Sequence, residues 1–69
     1  MMRYLVVIEK AGGNYSAYVP DLPGCIATGH SREEVRRAIR EAVAFHLEGL
    51  REDGLSPAEP QTVVDYVEA

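Results

Sequence analysis

Apolar and polar positions alternate in the first third of the chain, as they do in β-strands. Residues 2–9 place apolar side chains on both faces, which predicts a central strand covered on both sides. Residues 11–14 (AGGN) predict a hairpin turn, and residues 14–19 return as a second strand that Pro20 ends. A third, short strand is expected over residues 25–28.

Ser31 begins the longest periodic segment. Glu34 follows three residues later, so the hydroxyl and the carboxylate can cap the first amides of a helix. Gly54 supplies a natural C-terminal stop. We therefore predict an amphipathic helix over residues 32–52, with an apolar stripe formed by Val35, Ala38, Ile39, Ala42, Val43, His46, Leu47 and Leu50.

A further strand-like segment lies beyond the helix. Residues 55–61 contain Pro57 and Pro60 and predict an extended link, whereas residues 62–67 (TVVDYV) predict a fourth strand beside the first. The order β-β-β-α-β indicates an α+β fold with two layers, in which one long helix covers one face of a four-stranded mixed sheet. The opposite face stays open to a second copy or to another protein.

Composition and charge narrow the function classes. A chain of 69 residues forms one small domain with a marginal core, and its single cysteine excludes an internal disulfide. No apolar run approaches the ~20 residues of a membrane span, and no signal-peptide pattern occurs, so we expect a cytoplasmic protein. The net charge of -4 disfavours unaided nucleic-acid binding and fits a basic partner.

Candidate catalytic groups are few. Cys25 and His30 are five positions apart, which places them on opposite faces of a strand, and no third orienting group accompanies them. The thiol is better interpreted as a small core residue. The strand-borne carboxylates Glu9, Asp21 and Asp65 are too scattered for a two-metal nuclease. We therefore expect no catalytic, cofactor or metal site.

Several short segments together form a family pattern that covers nearly the whole chain. They occur in the loop before the third strand, at the helix start and at the helix end: Asp21-Leu22-Pro23-Gly24-Cys25, Gly29, Ser31-Arg32-Glu33-Glu34, and Leu50-Arg51-Glu52-Asp53-Gly54 before the proline-rich link. In this order and spacing they resemble the HicB-like antitoxin family. The resemblance implies a partial ribonuclease-H-like β-β-β-α-β fold, which agrees with the periodicity.

The resemblance also implies a function. HicB-like proteins neutralise HicA-like toxins, which are small basic ribonucleases that degrade mRNA, and they are typically oligomeric. We therefore expect an antitoxin-type binding module that self-associates as a homodimer or homotetramer, with Asp21, Leu22, Pro23 and Gly24 shaping a turn near the partner surface. An orphan homo-oligomeric scaffold without a toxin, and a small metal-dependent nuclease, remain as alternatives.

One feature of the family is missing from this sequence. Many members carry a C-terminal helix-turn-helix or ribbon-helix-helix that represses their own operon. This sequence stops at Ala69, directly after the predicted fourth strand. We therefore expect a single HicB-like domain over residues 1–69, with no separate DNA-binding domain and no direct DNA binding.

Overall fold

The computed structural model describes residues 2–69. The elements follow in the order β1 (Val7–Ala11), β2 (Asn14–Tyr18), β3 (Ile26–Gly29) and α1 (Arg32–Glu52). The strands form an antiparallel sheet in the order β1-β2-β3, and α1 packs against β2 and β3. The predicted α+β class, with one long helix on one face of a sheet, is confirmed.

The turn between β1 and β2 requires a glycine, as the sequence indicates. Gly12 has a φ of 62°, a left-handed conformation that glycine adopts without steric cost. The resulting register pairs Ile8 with Ala17 and Ala17 with Ala27. These three side chains belong to the packed apolar cluster, so they mark the sheet face that α1 covers.

The N-terminus of α1 is capped by reciprocal hydrogen bonds. The Glu34 amide donates to the Ser31 hydroxyl, with an N–O distance of 3.0 Å. Glu34 Oε1 in turn accepts from the His30 amide at 3.2 Å. The carboxylate therefore satisfies the amide one residue before the cap, rather than the amide of Ser31 itself. These bonds fix the helix start where the sequence places it.

The C-terminus of α1 ends in a Schellman motif. Gly54 has a φ of 72°, and its amide donates to the Arg51 carbonyl at 3.0 Å. The Leu55 amide reaches back to the Leu50 carbonyl at 2.9 Å. These bonds satisfy two of the free carbonyls at the helix end and turn the chain away from the helix axis. The predicted helix bounds, residues 32–52, are confirmed.

The core lies between α1 and the sheet. Val35 and Ile39 are the helix residues that are fully buried, and both belong to the predicted stripe. The buried apolar residues are Ala17, Val19, Leu22, Cys25, Val35 and Ile39.

Within residues 2–69, no helix is long and apolar enough to cross a membrane.

The predicted four-stranded mixed sheet is wrong. Within residues 2–69 the sheet has three strands, all antiparallel, and residues 55–69 have no regular secondary structure. The chain after α1 is held by other bonds: the Tyr4 hydroxyl donates to the Ala58 carbonyl at 2.6 Å, and Asp21 binds Gln61 and Thr62. Beyond Thr62 the apolar side chains are exposed, and residues 62–67 pair with no strand of the sheet.

The first strand is also shorter than predicted and lies at an edge rather than in the centre. It begins at Val7 instead of residue 2, because its partner β2 ends at Tyr18, before the chain turns at Pro20. The central strand is β2, which pairs with both neighbours. The third strand begins one residue later than expected and includes Gly29.

Gly29 allows β3 and the start of α1 to approach closely. A Cβ at this position would lie 2.7 Å from the Val35 backbone nitrogen and 3.0 Å from its Cα. Because both atoms belong to the helix backbone, Gly29→Ala should lower the free energy of unfolding by about 1–3 kcal/mol. Urea unfolding followed by circular dichroism measures this change.

Gly49→Ala is the matched control, since a Cβ there meets nothing within 4 Å. Replacing a mid-helix glycine by alanine should raise the free energy of unfolding by about 0.5–1 kcal/mol. Two substitutions of the same type are thus expected to have opposite signs. An unchanged or raised stability in Gly29→Ala would contradict the close approach.

Candidate functional site

The loop between β2 and β3 is a compact turn. The Leu22 amide donates to the Val19 carbonyl at 3.1 Å, and the Cys25 amide donates to the Leu22 carbonyl at 3.1 Å. The Val19 amide closes the loop on the Cys25 carbonyl at 3.2 Å. Gly24 has a φ of 84°, which favours glycine at this position. The loop is therefore ordered by its own backbone before any partner arrives.

The four predicted partner-contact residues divide into two pairs within this loop. Leu22 is only 2% exposed and belongs to the core. Asp21 is bound to the chain beyond α1. Pro23 and Gly24, in contrast, are exposed. The second pair is exposed at the surface, whereas the first pair holds the loop in place.

Asp21 ties the loop to the segment after the helix. Its Oδ2 accepts the amides of Gln61 and Thr62, each at 3.0 Å, and its Oδ1 accepts the Thr62 hydroxyl at 2.8 Å. These bonds lower the pKa of Asp21 below its ordinary value, the Thr62 amide contributing most. We refer to these three hydrogen bonds as the Asp21 clamp.

An exposed apolar patch adjoins the loop. Ile26 is 70% exposed and Phe45 is 82% exposed, and both line a shallow groove together with Gly24. Ile26 is also the register partner of Tyr18, which is 42% exposed. Tyr18, Ile26 and Phe45 are called the apolar patch below. Its position places it directly beside the exposed end of the loop.

The sheet face opposite α1 continues this patch. On that face the register aligns Val7, Tyr18 and Ile26 in one row across the three strands. The next row on the same face is polar and consists of Glu9, Ser16 and Thr28. The uncovered face is therefore apolar at one end only, the end that is shared with the apolar patch.

Phe45 and Ile26 do not stand out in the sequence as site residues. A usable signal is that Phe45 lies outside the apolar stripe of α1, so no core position accounts for it. Ile26 offers less, because an apolar residue in a short strand can face either layer. Its exposure follows from the inward position of its neighbour Ala27.

Acidic residues surround Phe45 on the helix. Glu41 and Glu48 lie about one turn away on either side. Residues 41–53 hold four carboxylates and one arginine, Arg51, whose guanidinium binds Glu48 at 2.8 Å. The first half of α1 has the reverse balance, with four arginines and two glutamates. The apolar patch therefore borders the acidic half of the helix.

The catalytic candidates lie in settings that do not favour catalysis. Cys25 is 4% exposed, and burial raises the pKa of its thiol. The Nδ1 atom of His30 lies 3.0 Å from the Asn14 side-chain oxygen. In the described part of the chain, residues 2–69, no three His, Cys, Asp or Glu side chains gather as a metal-ligand set.

Residues 4–69 match a family model described as HicB_like antitoxin of bacterial toxin-antitoxin system. The chain belongs to the HicB-like antitoxin family. Membership in this family implies a toxin partner in general terms and indicates a regulatory binding protein rather than an enzyme. The resemblance drawn from the sequence motifs is thereby confirmed.

Individual relatives extend from phage to archaea. An uncharacterized 14.9 kDa protein of Haemophilus phage HP1 is 35% identical over 96% of this chain, which spans 50% of that protein's length. A UPF0150 protein of Helicobacter pylori is 46% identical, with 72% of this chain and 69% of that protein covered. A UPF0150 protein of Thermoplasma acidophilum is 39% identical, with 72% and 74% covered. No solved structure matches the chain significantly.

The Asp21 clamp should respond to pH in a defined direction. Because the folded-state pKa of Asp21 lies below 3.8, its contribution is complete above that value. It is lost as the pH falls through the folded-state pKa. As the pH falls through the folded-state pKa of Asp21, we expect the Thr62 amide proton to lose its protection from hydrogen exchange and its NMR resonance to move to the position of an unbonded amide. Asp21→Asn should move both observables in the same direction at neutral pH.

Asp65→Asn is the matched control for this titration. The Asp65 carboxylate accepts only the amide of its neighbour Tyr66, at 2.8 Å. Its replacement should leave the Thr62 resonance and its titration unchanged. A Thr62 amide that titrates normally in Asp21→Asn would show that another carboxylate holds this segment.

Proposed function

We propose that this HicB-like chain is an antitoxin module that neutralises a HicA-like, mRNA-degrading toxin by covering its RNA-binding or active surface. The observation that most supports the proposal is Phe45, an 82% exposed aromatic residue on an ordered helix. It shares a groove with Ile26 and Gly24. Exposed aromatic residues beside a groove are typical anchors at the centre of protein interfaces.

Charge complementarity supports the choice of a basic partner. The chain carries a net charge of -4, and carboxylates surround Phe45 along the second half of α1. Acidic groups at the rim of an interface attract a basic surface and accelerate encounter. A toxin that binds RNA presents such a surface for phosphates. Carboxylates placed there would compete directly with the RNA.

The predicted contact loop takes a more specific role in this proposal. Pro23 and Gly24 would contact the toxin at the edge of the apolar patch. Asp21 and Leu22 would act indirectly, because one binds the segment after the helix and the other is buried in the core. Preordering by the loop's own hydrogen bonds lowers the entropy lost on binding.

Self-association as a homodimer or homotetramer also belongs to the proposal. It is supported by the small size of the core, which a second copy of the chain would enlarge. We place the protein in the cytoplasm, where mRNA is degraded. The single buried cysteine is compatible with that reducing compartment.

Phe45→Ala should weaken toxin binding about 30-fold or more, as expected when an aromatic anchor worth about 2 kcal/mol is removed. Isothermal titration of the purified chain with a purified HicA-like protein measures the dissociation constant. Rescue of growth in cells that express that protein provides the functional readout. Because the Phe45 side chain is exposed, its removal should not unfold the protein, and circular dichroism checks that the fold is retained.

Arg36→Ala is the control, since Arg36 is exposed on the basic half of the same helix. It should leave the dissociation constant within about 3-fold of the original value. Equal binding by both variants would show that Phe45 is not part of the interface.

Recovery of self-oligomers alone from the native host would favour an orphan scaffold. Cleavage of RNA that requires Mg²⁺ and is lost in Glu9→Ala would favour a nuclease.

A further inference from the structure

The segment that the sequence predicts as a fourth strand is apolar and uncovered. Residues 62–67 alternate in the manner of a strand and are rich in Val, Thr and Tyr. Val63, Tyr66 and Val67 are 83%, 90% and 89% exposed, and Val64 is 55% exposed. Consecutive exposed apolar residues with high β-propensity are unfavourable in water unless another surface covers them. Residues 62–67 are called the tail strand below.

The start of the tail strand is held firmly. The Asp21 clamp fixes the amides of Gln61 and Thr62 and the Thr62 hydroxyl. Upstream, the Tyr4 hydroxyl binds the Ala58 carbonyl at 2.6 Å. The chain is therefore anchored at its base, and the apolar residues that follow project from a fixed point. Such a segment is presented to its surroundings, in contrast to a loosely tethered end.

A matching vacancy exists on the sheet. The outer edge of β1 pairs with no strand in residues 2–69, because the sheet order places β1 outermost. The edge is apolar at its start, where Val7 and Ile8 follow the half-buried residues 4–6. Edge strands of this kind pair with other chains unless charges, prolines or covering elements block them. The other edge, β3, is only four residues long and is bordered by α1.

We infer that two copies of this chain exchange tail strands, each tail adding as a fourth strand to the outer β1 edge of the other copy. The tail strand offers backbone hydrogen-bond partners to the unpaired outer edge of β1. The edge offers the same partners to the tail strand and would cover some of its exposed apolar residues. Because both halves of the contact reside on one sequence, a two-fold axis makes the two exchanges identical. The partner is therefore a second copy of this chain, independent of whether a toxin binds.

Length and charge are compatible with this pairing. A strand of six residues spans roughly 20 Å, which is close to the roughly 17 Å of the five-residue β1. The edge region carries Arg3 and Lys10 together with one carboxylate, Glu9, whereas the tail strand carries Asp65 as its single charged residue. Opposite charges across a strand pair are favourable, and like charges would oppose it. The exchange would also enlarge a core that is marginal in one chain.

Proline substitution tests the exchange through the backbone. Proline removes an amide donor, and adjacent amides of a strand point to opposite sides. Val63→Pro and Val64→Pro together therefore interrupt the ladder whichever amide faces β1. Sedimentation equilibrium should show a dimer for the unsubstituted chain, and at least one of the two variants should raise the dimer dissociation constant about 100-fold or more. Glu68→Pro, beyond the tail strand, is the control and should change it by less than about 3-fold.

A disulfide trap separates exchange from folding back within one chain. Cys25 is replaced by Ala to remove the native thiol, and Val64→Cys is combined in turn with Leu5→Cys, Val6→Cys or Val7→Cys. Exchange predicts that at least one pair oxidises to a covalent dimer that a reductant returns to the monomer. Folding back predicts an oxidised monomer instead. Thermal unfolding of each variant confirms that the Cys25→Ala background folds.

Four results would overturn the inference. The first is a chain that stays monomeric up to about 500 μM, which excludes any dimer with a dissociation constant below that range. The second is a dimer that both proline variants leave intact, which would locate the interface on the uncovered sheet face. The third is an exclusively intrachain disulfide. A tail strand protected from amide exchange only after toxin is added would assign it to the toxin and would likewise reject exchange.

Discussion

The close contact between Gly29 and the backbone of Val35 is the constraint on which the rest of the structure depends. It allows α1 to begin directly above the end of β3, so the apolar stripe of the helix can cover β2 and β3. With α1 fixed there, one sheet face is closed and the other is left to solvent. The β2–β3 loop is then enclosed at Leu22 and exposed at Pro23. The positions of the apolar patch and of the exposed end of the loop follow from this arrangement.

The helix could be predicted to the residue because its signals are local. Ser31, Glu34 and Gly54 act within one turn of the helix ends, and the stripe between them repeats with the helical period. The fourth strand could not be predicted in the same way. Residues 62–67 have the periodicity of a strand, but periodicity does not specify which edge, or which chain, supplies the hydrogen bonds. For the same reason, periodicity does not reveal that β1 lies at an edge and begins at Val7.

The candidate site was predicted in part, for a related reason. The family pattern located the loop, but its letters do not distinguish the buried Leu22 from the exposed Pro23. The role of Asp21 depends on Thr62, which lies 41 residues away in sequence, and no local pattern reveals such a contact. Phe45 was detectable as an aromatic residue outside the stripe. Its neighbour Ile26 required the register of the sheet, which depends on three strands at once.

The uneven distribution of charge along α1 gives the molecule an electrical polarity. The first half of α1 carries four arginines and residues 41–53 carry four carboxylates, so the side-chain charges form a dipole along the helix axis. The mean positions of the two sets are about 12 residues apart, which is about 18 Å along the helix. In the field of a basic surface such a body experiences a torque at distances where no atoms touch. It would therefore rotate during approach and arrive with the end that carries Phe45 already turned toward that surface.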